Sequence, residues 1–222
     1  MSQELWLSHE LDVHGPRPPA IPAPELTDLY SITANGARVQ ILRLANHTGT
    51  HLDAPAHVIA DGLTINDFAP EELVYHRPVV IDLPQPDDAI VGVQEITPHI
   101  KRLQLADVAL IRFGRAGQRA ADPAAFSTRC PGFGKEGARF LRAHCPGLRA
   151  IGLDVPSIAC ISHLADTMCS HHELLGGQGR RFLIVEDMDL DHRLDDLVEV
   201  RICPWKVRNM DSGPCTVIGR LA

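Results

Sequence analysis

The stretch Asn46-His47-Thr48-Gly49-Thr50-His51-Leu52-Asp53-Ala54-Pro55-Ala56-His57 decides how this chain must be built. Three histidines and an aspartate fall within the eleven residues from His47 to His57, interrupted by a glycine and a proline. In a straight strand of roughly 3.3 Å per residue, His47 and Asp53 would have Cα atoms about 20 Å apart. Side chains sharing a zinc-like ion must each approach within about 2.0–2.2 Å of it. A helix turning about 100° per residue would align His47 with His51 but leave Asp53 off that face. Gly49 and Pro55 also disfavour a continuous helix. The chain must therefore curl, and Gly49 is the residue able to take the unusual φ/ψ required. Imidazole with carboxylate is a donor set suited to Zn, Mn or Fe.

Outward from this run, short apolar segments alternate with helical patterns. Ala37 to Leu44 reads as a strand delivering the chain to His47. Val79-Val80-Ile81-Asp82-Leu83, Asp107 to Phe113, Ala150 to Val155 and Phe182-Leu183-Ile184-Val185-Glu186 are runs of the doubly buried strand type. Lys135 to Cys145 carries Ala138, Leu141 and Cys145 at helical spacing, and Glu95 to Leu103 is a weaker helical pattern. Ser170-His171-His172-Glu173-Leu174-Leu175 reads as a helix capped by Ser170 and closed near Gly176-Gly177. Leu5 to Leu7 is a short first strand, and Val198 to Ile202 and Cys215 to Ile218 are closing strands. The proline-rich stretch His14 to Pro24 cannot join a sheet interior, because its prolines lack N–H donors. Strands alternating with helices imply an α/β fold.

Composition bounds the function. At 222 residues and 45% hydrophobic, the chain can bury the core of one domain spanning residues 1–222. A net charge of -7 without a basic run excludes phosphate-neutralising surfaces, so neither nucleic acid nor an anionic membrane is an expected partner. The start Met1 to Val13 lacks the basic-then-apolar pattern of a secretory signal, and no apolar run approaches the roughly 20 residues of a membrane span. The chain reads as cytoplasmic, with a small-molecule substrate as its partner. Its six cysteines contain no CxxC and read as reduced, mostly buried apolar residues. Trp6 and Trp205 read as buried anchors and Thr50 as a brace for the curled loop, while His163 with Asp166, although near the His171 patch, reads as structural ahead of the alternative of orienting a ligand imidazole. Asp82 and Asp154, each ending a short apolar strand, read as acceptors for loop N–H groups.

The pattern HxGTHxDxPxH, formed by His47, Gly49, Thr50, His51, Asp53, Pro55 and His57, resembles the signature of the putative cyclase superfamily, which includes bacterial kynurenine formamidase and isatin hydrolase. The resemblance extends to Leu7-Ser8-His9, Asp61-Gly62, Pro78 to Leu83, Leu110-Ile111-Arg112, Gly152 to Ser157, and His171-His172 followed by Glu186. It implies a swivelling β/β/α domain, a mixed sheet with flanking helices, and assembly as a homo-oligomer, dimer or tetramer. It also implies that His47, His51, Asp53, His171 and Glu186 hold the metal and that His57 transfers protons. A shift of register through Gln178-Gly179-Arg180 would put His172 in the place of His171.

The function this implies is a metal-dependent hydrolase. Zinc is the first choice and manganese the second, as one ion or two. The metal would lower the pKa of a water from about 15.7 toward about 7, and His57 would act as general acid and base on a small amide, lactam or lactone. The alternatives are an arylformamidase acting on N-formylkynurenine and a catalytically silent metal-binding protein. The formamidases carry a tryptophan in a loop near the start, where this chain has His14-Gly15-Pro16-Arg17-Pro18-Pro19.

Overall fold

A computed structural model describes residues 3–177 and 181–222. Thirteen strands are described: β1 (Glu4–Trp6), β2 (Glu25–Tyr30), β3 (Val39–Arg43), β4 (His51–Asp53), β5 (Val74–Tyr75), β6 (Pro78–Asp82), β7 (Ile90–Val91), β8 (Val108–Arg112), β9 (Gly132–Phe133), β10 (Ala150–Leu153), β11 (Leu183–Glu186), β12 (Leu197–Pro204) and β13 (Ser212–Leu221). The main sheet runs β5-β12-β13-β4-β11-β10-β8-β6, with β1 added along β13. From β11 to β6 all pairings are parallel, and from β5 to β11 all are antiparallel. This is the expected mixed sheet with flanking helices.

The apolar runs are continuous because both faces of the sheet are covered. Along β8, Val108 and Leu110 join one core while Ala109 and Ile111 join the other. Leu183 and Val185 of β11 face the first of these, and Ile184 the second. This is the period of two that a pleated strand imposes. The helix Lys135–His144 and the helix Cys169–Leu175 cover the Ile184 face through Ala138, Leu141, Leu174 and Leu175.

Four expectations change. The Glu95 to Leu103 pattern forms three short turns, Val93–Ile96, Thr97–His99 and Ile100–Leu103; Pro98, in the second, has no N–H for a continuous helix. Ser170 does not cap its helix: the preceding Met168 is already helical, with φ -56° and ψ -27°, so there is no extended residue to act as cap. Trp6 is 64% exposed, because the strand alternation that points Leu5 and Leu7 inward turns Trp6 out. Trp205, just beyond the end of β12, is also largely exposed.

β3 lies outside the main sheet, pairing only with β2 in a hairpin whose residues are all exposed. The proline-rich stretch stays out of all three sheets, and Arg17 N–H donates to Ser127 Oγ. All six cysteines are free thiols. Among the described residues no helix is long and apolar enough to cross a membrane.

Candidate metal centre

β4 is only three residues long, and its position places the site. Alternation sends His51 and Asp53 to one face of the sheet and Leu52 into the core on the other. β11 lies alongside with Glu186 opposite His51, and β13 flanks the other side with Ser212 opposite Asp53. The helix Cys169–Leu175 packs over this face and adds His171. His47 arrives from the loop before β4, where Gly49 sits at φ +65°. The Gly49 carbonyl then accepts from His51 Nδ1 at 2.8 Å, leaving His51 Nε2 turned toward the carboxylates. The predicted curl and its glycine are both present.

Donor atoms converge closely. His51 Nε2 lies 3.2 Å from Glu186 Oε2 and 3.6 Å from Asp53 Oδ1. His171 Nε2 lies 3.3 Å from Glu186 Oε1 and 3.9 Å from Asp53 Oδ2. His47 Nδ1 is 3.1 Å from Asp53 Oδ1. Two groups with ligand atoms within 4.8 Å of one another, His47/His51/Asp53 and Asp53/His57/His171, share the Asp53 carboxylate. His171 is buried and His172 exposed, so it is His171 that faces the cluster. Gln178, Gly179 and Arg180, the segment of the possible register shift, lie outside the described residues.

The electrostatics test whether a dication suits these residues. Asp53 is fully buried, yet neither carboxylate oxygen receives a hydrogen bond, and His51 Nε2 is likewise without one. An ionised carboxylate in that condition costs several kcal/mol unless a cation compensates it. Burial opposes the charged imidazole of His51, but Asp53 and Glu186 outweigh it and raise its pKa to about 9. His171 is shifted upward in the same way, against its own burial, chiefly by Glu186. Burial and their mutual repulsion press the two carboxylates toward neutrality, but the surrounding histidines prevail and hold both below the usual carboxylate range. Ile158 N–H anchors Glu186 Oε1 at 2.6 Å. The cluster therefore draws positive charge to itself, and protonated histidines supply it where an ion would. The donor set fits a divalent metal.

His57 borders that core on its more exposed side. It ends the short turn Pro55–His57, and its ring centroid is 4.3 Å from that of His47 and 5.3 Å from that of His171. Burial, joined by His47 and His171, lowers its pKa against the pull of Asp53 and Glu186, so the ring is neutral near pH 7. Its Nδ1 lies 3.3 Å from Asp211 Oδ2.

Several residues near the centre were not anticipated. Ser212 starts β13 and Asp211 immediately precedes it, and Ser212 Oγ lies 2.9 Å from His47 Nε2. Asn46 Nδ2 donates to both, at 2.9 Å to Asp211 Oδ1 and 2.6 Å to Ser212 Oγ. Asp187, next to Glu186, is buried at φ +52° and receives both Nε and Nη2 of Arg119 at 2.9 Å. A local Asp-Ser-Gly-Pro sequence signals a turn but says nothing of a histidine 154 residues earlier.

The remaining assignments divide. Thr50 braces the loop as expected: its hydroxyl donates to the Asp187 carbonyl and accepts from His9 N–H. Asp154 accepts from the N–H groups of Phe113, Gly114 and Arg115, as read from the sequence. Asp82 instead pairs with Arg112. His163 lies in electrostatic range of Asp88.

The family model described as "Putative cyclase" matches residues 5–159. Kynurenine formamidase of Bacillus cytotoxicus is 31% identical over 175 residues, covering 78% of this chain and 76% of that protein. Cyclase-like protein 3 of Oryza sativa subsp. japonica is 26% identical over 190 residues, covering 83% and 67%. Among solved structures, isatin hydrolase A from Labrenzia aggregata bound to benzyl benzoate superposes with a TM-score of 0.83 at 21% identity, covering 99% of this chain and 94% of that one.

Proposed function

We propose, from the premise that this chain belongs to the putative cyclase family, that it is a metal-dependent hydrolase cleaving a small amide, lactam or lactone. The observation that carries the reading is the Asp53 carboxylate, fully buried, without a hydrogen bond, and ringed by His47, His51 and His171 with Glu186 beside them. These five residues are the proposed ligands. Zinc is the first candidate and manganese the second, as one ion or two, and Asp53 would be among the residues that hold it.

A divalent ion supplies Lewis acidity to a water and to the substrate carbonyl. The protein does the rest. The Gly49 carbonyl fixes the His51 tautomer so that the Nε2 lone pair faces inward. Ile158 N–H fixes Glu186. His57 is neutral and beside the donors, so it can accept a proton from the attacking water and return it to the leaving nitrogen or oxygen.

The formamidase at 31% identity favours N-formylkynurenine as one substrate to assay, with isatin as the cyclic alternative. The reading includes a cytoplasmic homo-oligomer. The wholly exposed hairpin supports the assembly, since it carries Leu26, Leu29, Tyr30, Val39, Ile41 and Leu42, and a two-stranded hairpin alone is marginal in water.

Metal analysis of purified protein followed by assay on both compounds tests this. His57→Ala should lower turnover by about 10²–10⁴ while metal content is unchanged. Loss of metal in that variant would make His57 a ligand, and a chain without bound metal would end the hydrolase reading.

A further inference from the structure

We propose that Asp211 is the positioning residue for His57: its carboxylate accepts the His57 Nδ1–H and so holds the imidazole in the tautomer whose Nε2 lone pair is free to take a proton. The inference rests on the reading of His57 as the proton-transfer group.

Three features make Asp211 more than a neighbour. Its Oδ2 is 3.3 Å from His57 Nδ1, and the other oxygen, Oδ1, is occupied by Asn46 Nδ2 at 2.9 Å, so the carboxylate cannot rotate freely. The Asp211 backbone carbonyl accepts from Ala54 N–H at 2.9 Å, and Ala54 opens the turn that carries His57. Acceptor and imidazole are therefore tied by main chain as well as side chain. Asn46 itself is steadied by its second bond, to Ser212 Oγ.

A neutral imidazole has one N–H, and whichever nitrogen carries it cannot act as base. Free imidazole side chains have no fixed choice, and a carboxylate at Nδ1 makes one. Once Nε2 has taken a proton, the same carboxylate stabilises the cation that results. Asp211 Oδ2 is also 3.7 Å from His47 Nε2, and the trio His47/His57/Asp211 could hold an ion instead. The two roles differ in what a neutral isostere does.

In Asp211→Asn, Asn46 still donates to the position of Oδ1, so the carbonyl stays there and the new amide NH₂ faces His57 Nδ1. Nδ1 must then accept, and the proton moves to Nε2. The test uses zinc-loaded full-length protein labelled with ¹⁵N in histidine, with the His57 signals assigned by difference against His57→Gln. The expected wild-type state is Nδ1–H, inverting to Nε2–H in Asp211→Asn. On whichever of N-formylkynurenine or isatin is hydrolysed, kcat should fall by about 10²–10⁴ with KM within about threefold, zinc per chain being unchanged. Asp211→Ala, where neither tautomer is imposed, should give a mixture and serves if the first variant does not fold.

A wild-type His57 protonated on Nε2, or the same tautomer in both proteins, overturns the assignment. Lost zinc in Asp211→Asn makes Asp211 a ligand and overturns it too. If neither compound is hydrolysed by the wild type, the proposed activity fails while the tautomer measurement still decides the role of Asp211.

Discussion

Replacing Arg119 by methionine should weaken the protein far more than loss of a partly exposed cation ordinarily does. Arg119 lies on the helix Ala116–Ala121 and grips both oxygens of Asp187 at 2.9 Å, with side-chain exposures of 18% and 4%. Asp187 follows Glu186 directly, holds φ +52°, donates its N–H to the Val155 carbonyl at 2.7 Å and accepts the Thr50 hydroxyl on its own carbonyl. Removing one partner of a buried pair costs about 3–5 kcal/mol because the other charge is left uncompensated. Arg119 keeps some solvent access, so the lower end, about 3 kcal/mol, applies.

Asp187→Asn keeps a side chain that tolerates the left-handed region. It should lose about 2 kcal/mol from the charge-assisted bonds. Because the pair can be lost only once, the double variant should cost about 3 kcal/mol rather than 5, an interaction energy of about 2 kcal/mol. For a chain of this length the Arg119→Met change corresponds to a Tm lower by about 6–12 °C. Urea unfolding of the four proteins closes the cycle, and zinc titration should show affinity reduced about tenfold through the displaced Glu186. A coupling below about 0.5 kcal/mol, the scatter of independent sites, would refute the reasoning and leave Arg119 as an ordinary surface charge.

Two further outcomes follow from the same geometry. Gly49→Ala forces an L-residue to φ +65° and sets a Cβ 3.1 Å from Leu11 Cδ1, a side chain able to rotate away; the expected cost is about 1–2 kcal/mol with weaker zinc binding. Gly36→Ala, at φ +76° with nothing within 4 Å, should cost a similar amount and leave zinc affinity alone, and equal zinc affinities in both variants would detach the Gly49 carbonyl from the centre. In the metal-free protein His51, pushed up to about 9, is charged at pH 7 and must shed its proton to bind a metal, and the upward shift of His171 works in the same direction. Calorimetry in buffers of different ionisation enthalpy should register at least about one proton released per ion, that of His51, with affinity climbing toward pH 9; no release would refute the charge state. The His51 contribution to metal-free stability is full below the unfolded value of about 6.5 and fades as pH rises toward 9. That of Asp53 and Glu186, whose folded pKa values are lowered, is full above about 4.5 and fades as pH falls. Metal-free protein should accordingly be most resistant to urea between about pH 4.5 and 6.5.

How much of this was legible in the sequence depends on the range of the interaction. The curl at Gly49, the side-by-side use of His51 and Asp53, and the strands β6, β8, β10 and β11 follow from local pattern and were readable. Trp6 is exposed although it is large and apolar, because between two inward leucines it has to point out. β2 was not recognised, since Glu25 to Tyr30 has neither strict alternation nor a continuous apolar run. Asp211, Arg119 and Asp187 escaped for a different reason. Their meaning comes from partners 68 to 165 residues away in the chain, brought together by sheet order rather than by any local signal.

That sheet order also accounts for the position of the centre. β6, β8, β10 and β11 are parallel, so their carboxyl ends share one edge, and Glu186 is the last residue of β11 on that edge. In open parallel sheets the crevice outside the carboxyl ends, where the strand pattern changes, is where ligands are held. Here the change is β4, antiparallel to β11. Running the other way, β4 places its first residue, His51, beside the end of β11, and the loop carrying His47 therefore falls on the same edge. A parallel β4 would have put His51 at the far end from Glu186 and separated the two by the length of the strand. The dense histidine run precedes β4 and the single Glu186 ends β11 because one strand enters the edge where the other leaves it.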